Sequence, residues 1–185
     1  MAKRTIGTGT YLYPVPVVMV TCGPFSKPNI ITLAWVGTVC SDPPMIGISI
    51  RPSRFSHGLV KQQLEFAVNL PTVNLVRETD YCGTVSGRKV DKFATTGLTS
   101  LRGLETDTAL IAECPLNIEC KVTQVVSLGS HDLFLGQVVA VQAEDSLVNA
   151  QGELDLSKAE LLAYAGARYW GLGSLLGVHG FSARS

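Results

Sequence analysis

Along the first two thirds of the chain, apolar positions either alternate with polar ones or gather into β-branched runs, and Gly, Pro, Asn and Ser interrupt them at short intervals. That is the pattern of strands and turns. Val15 to Cys22 and Asn29 to Cys40 read as two strands joined by the turn Gly23-Pro24-Phe25-Ser26-Lys27-Pro28. Met45 to Arg51 reads as a third, with Ile46, Ile48 and Ile50 on one face and only Gly47 and Ser49 on the other, which leaves that second face nearly bare. At Ser53 the period changes. Phe55, Leu59, Val60 and Gln63 recur at helical spacing, and Ser53 stands where it would cap a short helix ending near Gln63. Glu65 to Leu70 is again a strand, and Thr72 stands where it would cap a second helix running to about Tyr81, before a polar loop from Gly83 to Asp91.

The strongest alternation comes later. In Leu116 to Leu128, Ile118, Cys120 and Val122 face one way and Glu119, Lys121 and Thr123 the other, and Leu133 to Ala143 is the expected hairpin partner across Gly129-Ser130-His131-Asp132. Two such long antiparallel strands suit a barrel. The tail from Ser157 begins with a short helical pattern and ends in a run through Gly171, Gly173, Gly177 and Gly180. The expected class is mainly β with short helices, and with 185 residues at 46% hydrophobic content the chain reads as one domain, 1–185.

Charge changes this picture in one respect. Charged residues are only 16% of the chain, little to cover the surface of a monomer, so association into an oligomer is expected. Fifteen basic and fifteen acidic residues cancel without forming a run, which argues against nucleic-acid or membrane-surface binding. No apolar stretch approaches the roughly 20 residues of a membrane span, and polar residues follow Met1-Ala2-Lys3-Arg4 where a signal peptide would be apolar. A cytoplasmic protein is expected. Its five cysteines are an odd set without a close pair and should be reduced, and no metal is expected: Cys114 and Cys120 on one strand would lie about 20 Å apart.

Two familiar motifs fail on context. Gly171-x-Gly173-x-x-x-Gly177 has too little chain after it for a β-α-β dinucleotide unit, and Gly83 to Lys89 lacks the Gly-Lys-Ser/Thr ending of a triphosphate loop. His57, His131 and His179 stand singly, which gives hydrolytic chemistry no support, so any chemistry is expected to be a cofactor's. The most suggestive segment is Arg51-Pro52-Ser53-Arg54-Phe55-Ser56-His57, which sets two guanidiniums, two hydroxyls and an imidazole at a helix start, where free backbone N–H groups favour an anion. Taken alone it also reads as an ordinary capped helix with surface arginines. Asn29, Thr32 and Trp35 form a second cluster, two hydrogen-bonding side chains beside a broad apolar one, which suits either a ligand ring or a core contact.

Pro28-Asn29-Ile30-Ile31-Thr32-x-x-Trp35, Ser41-Asp42-Pro43-Pro44 and Arg51-x-Ser53-Arg54-x-Ser56-His57 follow one another in an order and spacing that resembles the flavin reductase-like FMN-binding family. Phe66-Ala67-Val68-Asn69-Leu70-Pro71, Asp80-Tyr81-Cys82-Gly83-x-x-Ser86-Gly87-Arg88-x-x-Asp91-Lys92-Phe93 and Gly129-Ser130-His131-Asp132-Leu133-Phe134-x-Gly136 extend the likeness over most of the chain, and Tyr169-Trp170-x-Leu172-Gly173 makes its flavoredoxin branch the nearest. The resemblance implies a dimeric split β-barrel with FMN near the subunit interface. Carried over by position, it implies Asn29, Thr32 and Trp35 at the ring or ribityl chain, with Ser41, Arg51 and Ser53 in the same site. Arg54, Ser56 and His57 fall at the phosphate, Lys92 at the phosphate or reduced ring, and His131 and Tyr164 at the site's lining. The implied function is electron transfer or flavin reduction, with NAD(P)H or a redox protein as partner. The alternatives are an NAD(P)H:flavin oxidoreductase serving a monooxygenase and a non-redox ligand-binding or assembly module on the same barrel.

Overall fold

In a computed structural model that describes residues 1–183, the strands form in chain order as β1 (Val15–Pro16), β2 (Val18–Cys22), β3 (Asn29–Leu33), β4 (Val36–Ser41) and β5 (Pro44–Ile50). Helix α1 (Phe55–Gln63), strand β6 (Glu65–Leu70) and helices α2 (Val76–Thr84) and α3 (Lys92–Thr96) follow. The chain continues through β7 (Ser100–Arg102), β8 (Ala109–Ile111), the long pair β9 (Leu116–Ser127) and β10 (Asp132–Ala143), and a last hairpin of β11 (Leu162–Ala165) and β12 (Arg168–Gly171).

Seven strands make one antiparallel sheet in the order β3-β2-β6-β9-β10-β5-β4. Its two edge strands, β3 and β4, are consecutive in sequence and separated only by Ala34 and Trp35. The chain therefore steps from one edge of the sheet to the other within two residues, which requires the sheet to curl until its edges nearly meet. At that seam the Ser49 N–H donates to the Trp35 carbonyl at 3.0 Å. The curl also explains why Asn29 to Cys40 is two strands rather than the one its continuous pattern predicts.

The strip inside the curl holds Val18, Val20, Cys22, Ile31, Ile48, Ile50, Phe66, Val68 and Phe134, and β2 is buried on both faces because Met19 points instead into a second cluster with Ile30, Phe93, Leu98 and Ile111 beneath α2 and α3. Ile118, Cys120 and Val122 pack on the inner cluster as their alternation predicts, whereas Cys114 belongs to the outer one. Gly136 permits a close approach between β10 and β6, since a Cβ there would lie 2.6 Å from the Phe66 ring. Buried Asn69 joins four elements: its amide donates to the Met19 carbonyl at 2.9 Å and accepts from the Ile111 N–H and the Asn117 amide at 3.0 and 2.8 Å. No helix among the described residues is long and apolar enough to cross a membrane.

Four local expectations are corrected. Val15 to Cys22 breaks at Val17, so β1 pairs with β11 while β2 stays in the large sheet. Arg54, in extended conformation, is the N-cap of α1 in place of Ser53, and no side chain caps that helix. Thr72 caps nothing with its side chain: a single 3-10 turn at Val73–Leu75 precedes α2, which runs past Tyr81 to Thr84. The helical pattern after Ser157 yields only the 3-10 turn Leu156–Lys158, and the chain then returns as the β11–β12 hairpin through Gly166 and Ala167, both at positive φ.

Candidate functional site

At the end of β5 the chain turns through Arg51 to Ser53 and enters α1, whose first two N–H groups, of Phe55 and Ser56, have no carbonyl within the helix to bond, while the His57 N–H donates to the Arg54 carbonyl at 3.1 Å. Ser56 in that turn is buried and accepts from the Asn29 amide at 2.8 Å, which fixes the helix start to β3. Lys92 opens α3 behind it, where Asp91 caps the helix by accepting the Ala94 N–H at 3.1 Å. The Lys92 ammonium is 4% exposed and donates to the carbonyls of Ile30 and Cys82, each at 2.6 Å. An ammonium has three donors. Only two have partners among the described residues, and Lys92 lines a cavity of about 250 Å³ with Arg51, Ser53, Arg54 and Ser56. Burial pushes the Lys92 pKa down, and the neighbouring Arg54 adds to that effect. The loop after α2 closes the cavity's other side at Ser86 and Gly87, and a side chain at Gly87 would overlap the Asn29 amide.

A larger cavity, about 500 Å³, opens from the same place and shares Ile31, Arg51, Arg54 and Gly83 with the smaller one, so the two are lobes of one cleft. Its floor is the seam of the curled sheet, at Thr32, Ala34, Trp35 and Ser49. Thr32 is held to α2 by donating its hydroxyl to the Thr79 carbonyl. Trp35 is 43% exposed, and His131, on the turn between β9 and β10, packs against it at 4.6 Å between ring centroids. Burial and the Arg51 guanidinium hold the His131 pKa below its ordinary value. The opposite wall is aromatic: Tyr164 lies edge-on between Tyr13 and Tyr169 at 6.5 and 5.6 Å, and the Tyr169 hydroxyl donates to Asp80 at 3.0 Å. Burial and the Asp80 carboxylate push the Tyr169 pKa up, so the phenol stays protonated at neutral pH.

Thr32, Trp35, Arg51, Arg54, His131 and Tyr164 thus line the larger lobe, and Arg51, Ser53, Arg54, Ser56 and Lys92 the smaller. Three expected residues stand apart. Asn29 lies beneath the smaller lobe with its amide engaged by Ser56. His57 turns away from both lobes and bonds Asp132 at 2.8 Å. Ser41 pairs with Pro44 at the far end of the β4–β5 hairpin, five residues along β4 from Val36 and therefore about 17 Å from the seam. The bare face expected on β5 is only half open: Ser49 lines the cleft, but the space over Gly47 is filled by Leu133, Leu135 and Val39. Sequence reasoning missed Asp80, Gly83, Gly87 and Tyr169 as site residues although each sits in a stretch that carries the family likeness, and nothing in the local pattern marks Tyr13.

The cleft suits a flat ring at one end and an anion at the other. The fold is similar to that of flavoredoxin of Desulfovibrio vulgaris (Miyazaki F), with a TM-score of 0.92 and 30% identity over 99% of this chain and 100% of that one. Flavoredoxin from Methanosarcina acetivorans is 32% identical over the full length of both chains with a TM-score of 0.89. An FMN-binding protein from Thermus thermophilus, bound to 1-cyclohex-2-enone, is 29% identical over 92% of this chain and 95% of that one with a TM-score of 0.78. The flavin reductase like domain matches residues 10–172, and the chain belongs to that family.

Proposed function

We propose that this protein is an FMN-binding redox protein, and that FMN lies along the cleft with its ring in the larger lobe and its phosphate in the smaller. The observation that carries this reading is the pairing of the lobes: one is floored by an exposed indole, and the other gathers Arg54, the start of α1 and a buried ammonium. A phosphomonoester carries nearly two negative charges at neutral pH. Arg54 and Lys92 neutralise them, and the N–H groups of Phe55 and Ser56 at the start of α1 supply hydrogen bonds to the anion. Bound FMN supplies reversible one- and two-electron transfer. The protein's part is to hold the ring between Trp35 and the tyrosine wall, to exclude water from it, and to set its electrostatic surroundings through Arg51 and Lys92.

The likeness to two flavoredoxins over nearly the whole chain supports electron carriage to a redox protein as the physiological role. Reduction of free flavin by NAD(P)H for a separate monooxygenase is the competing assignment. We also read the molecule as a cytoplasmic homodimer. Its five cysteines are free thiols, and Val39, Trp170, Leu175 and Leu176 are exposed, apolar surface of the kind a second copy would cover.

Absorbance of the purified protein and quenching of FMN fluorescence on titration test the cofactor, and colourless protein that leaves FMN emission unquenched would refute it. Arg54→Ala should weaken FMN about tenfold while leaving riboflavin, which lacks the phosphate, within about twofold. Trp35→Ala should weaken both. Rapid steady-state NAD(P)H oxidation with added free flavin would favour the reductase role over the carrier.

A further inference from the structure

The His57 side chain is buried and faces neither lobe, yet it sits at the junction of the elements that form both. It is the third residue of α1, two places after the Phe55 that begins the helix and three after Arg54. Its Nε2 bonds Asp132 Oδ2 at 2.8 Å, and its ring meets Phe134 edge-on at 5.2 Å. Asp132 is the first residue of β10 and directly follows His131. The carboxylate's other oxygen accepts the Ser127 hydroxyl at 2.8 Å, from the last residue of β9. Asp132 therefore grips both stems of the turn that carries His131, while Leu128 N–H donates to the His131 carbonyl at 2.9 Å and closes the turn itself. One buried carboxylate thus joins three places: the helix start that offers Arg54 and Ser56, and the two strand ends that hold His131 against Trp35.

We infer that His57 is a positioning residue: through Asp132 it locks the His131 turn at the ring end of the cleft to the α1 start at the phosphate end, so that the two ends act on a ligand together. This rests on reading the cleft as a flavin site, but the lock itself is a property of the empty protein. A ligand that seats its anion on α1 fixes the helix start, and the rigid His57–Asp132 bond passes that restraint to the turn. Gripping one end of the ligand then lowers the freedom still to be lost at the other. The sequence placed His57 on the phosphate, and the same bond to Asp132 explains why a side chain in an anion-binding turn points away from the anion.

Two measurements test the lock. Trp35 and Trp170 are the only tryptophans, so Trp170→Phe leaves Trp35 as the sole indole. An imidazolium in contact with an indole quenches its emission, so Trp35 fluorescence in the empty protein should fall as His131 protonates, and His131→Ala should abolish that step. With the fold verified by circular dichroism, His57→Ala and Asp132→Asn should each reduce the step at least twofold, and His57→Gln, which keeps a donor for Asp132, should restore most of it. Lys61 and Arg51 supply the other charges near Asp132 and His131 and are left in place.

The second measurement is an FMN titration on a double-mutant cycle. In protein with His57 intact, the fold-losses of Arg54→Ala and His131→Ala should depart from simple multiplication by at least threefold; in His57→Ala protein they should multiply. A Trp35 step absent from the parent protein, or unchanged in folded His57→Ala and Asp132→Asn, overturns the inference, as does a cycle that multiplies with His57 intact. If the parent protein binds no FMN, the flavin reading fails and the emission step alone decides the lock. If His57→Ala does not fold, Asp132→Asn and the His57→Gln rescue decide it.

Discussion

Glu119 on β9 and Lys92 at the head of α3 are both charged side chains taken almost wholly out of water, at 1% and 4% exposure, and the fold treats them in opposite ways. The Glu119 carboxylate accepts from the backbone N–H groups of Leu104, Glu105 and Thr106 at 2.8, 3.0 and 2.9 Å and from the Thr106 hydroxyl at 2.7 Å. Burial acts to raise its pKa, and the four hydrogen bonds overcome it and hold the group below the ordinary carboxylate value. Lys92 has two neutral carbonyls and, among the described residues, no carboxylate within ion-pair distance. Its pKa is lowered, mainly by burial. A buried charge that its own chain satisfies completely is a fastening. One left partly satisfied beside a cavity is a binding group waiting for its counter-charge.

The largest effect expected from this contrast is on stability. Glu119→Ala leaves three N–H groups and a hydroxyl without their acceptor and should cost about 3 kcal/mol of unfolding free energy, read as a lower urea midpoint. FMN affinity should stay within about twofold, because Glu119 reaches neither lobe. Lys92→Met should do the reverse. The isosteric apolar chain relieves the desolvation of the ammonium, so stability should move by no more than about 1 kcal/mol, while FMN should bind 10- to 100-fold more weakly for want of a charge-assisted hydrogen bond worth about 1.5–3 kcal/mol. Lys121→Ala, on the exposed side of β9, should change neither. A Lys92 variant that unfolds while its residual folded fraction keeps FMN would erase the distinction.

The pH dependence sharpens it further. Glu119 has a folded pKa below its ordinary 4.5, so its contribution is complete above 4.5 and is lost as pH falls through the folded value. Lys92 has a folded pKa below its ordinary 10.5, so the unfolded chain holds that proton more tightly. The cofactor-free protein should therefore gain stability as pH rises from the lowered folded value towards 10.5. In Lys92→Met that alkaline gain should vanish and the acid loss remain; Glu119→Gln should show the converse. Urea midpoints across both limbs measure it.

Neither role was legible in the sequence, for different reasons. Glu119 falls on the polar phase of the most regular alternation in the chain, which reads as a solvated face, and only the return of residues 103–106 over that face buries it. Lys92 was placed in the site by the family likeness, but its burial depends on β3 and α2 converging, which no local pattern encodes. The strands were legible in β5, β6, β9 and β10, where an alternation or a short apolar run is bounded by turn residues. They were misread where the curl demanded a break, at Val17 and Ala34-Trp35, because continuous hydrophobicity does not say when a strand changes sheets or edges. The β11–β12 hairpin was missed since Leu162 to Gly171 shows no clean alternation, and with it went Tyr169, the neighbour of Tyr164 in the aromatic wall.

The smallest effect expected is at Ser41. On its own chain this residue is exposed and ends β4 about 17 Å from the seam, too far for any contact with a ligand in that cleft. Ser41→Ala should accordingly leave FMN affinity within about twofold. A tenfold loss would mean that the edge strand β4, which also exposes Val39, reaches the cleft of a second copy. Mixing separately purified Ser41→Ala and Arg54→Ala protein then decides the matter. In a mixed dimer, a cleft on the Ser41→Ala chain keeps its own Arg54 and takes Ser41 from the other copy, so one site regains full affinity while the other carries both changes. Recovery of a tight class of sites on mixing would show that the Lys92 end of the cleft, unlike the Glu119 corner, is completed by a neighbouring chain. Absence of recovery would leave each cleft, like that corner, built from its own chain alone.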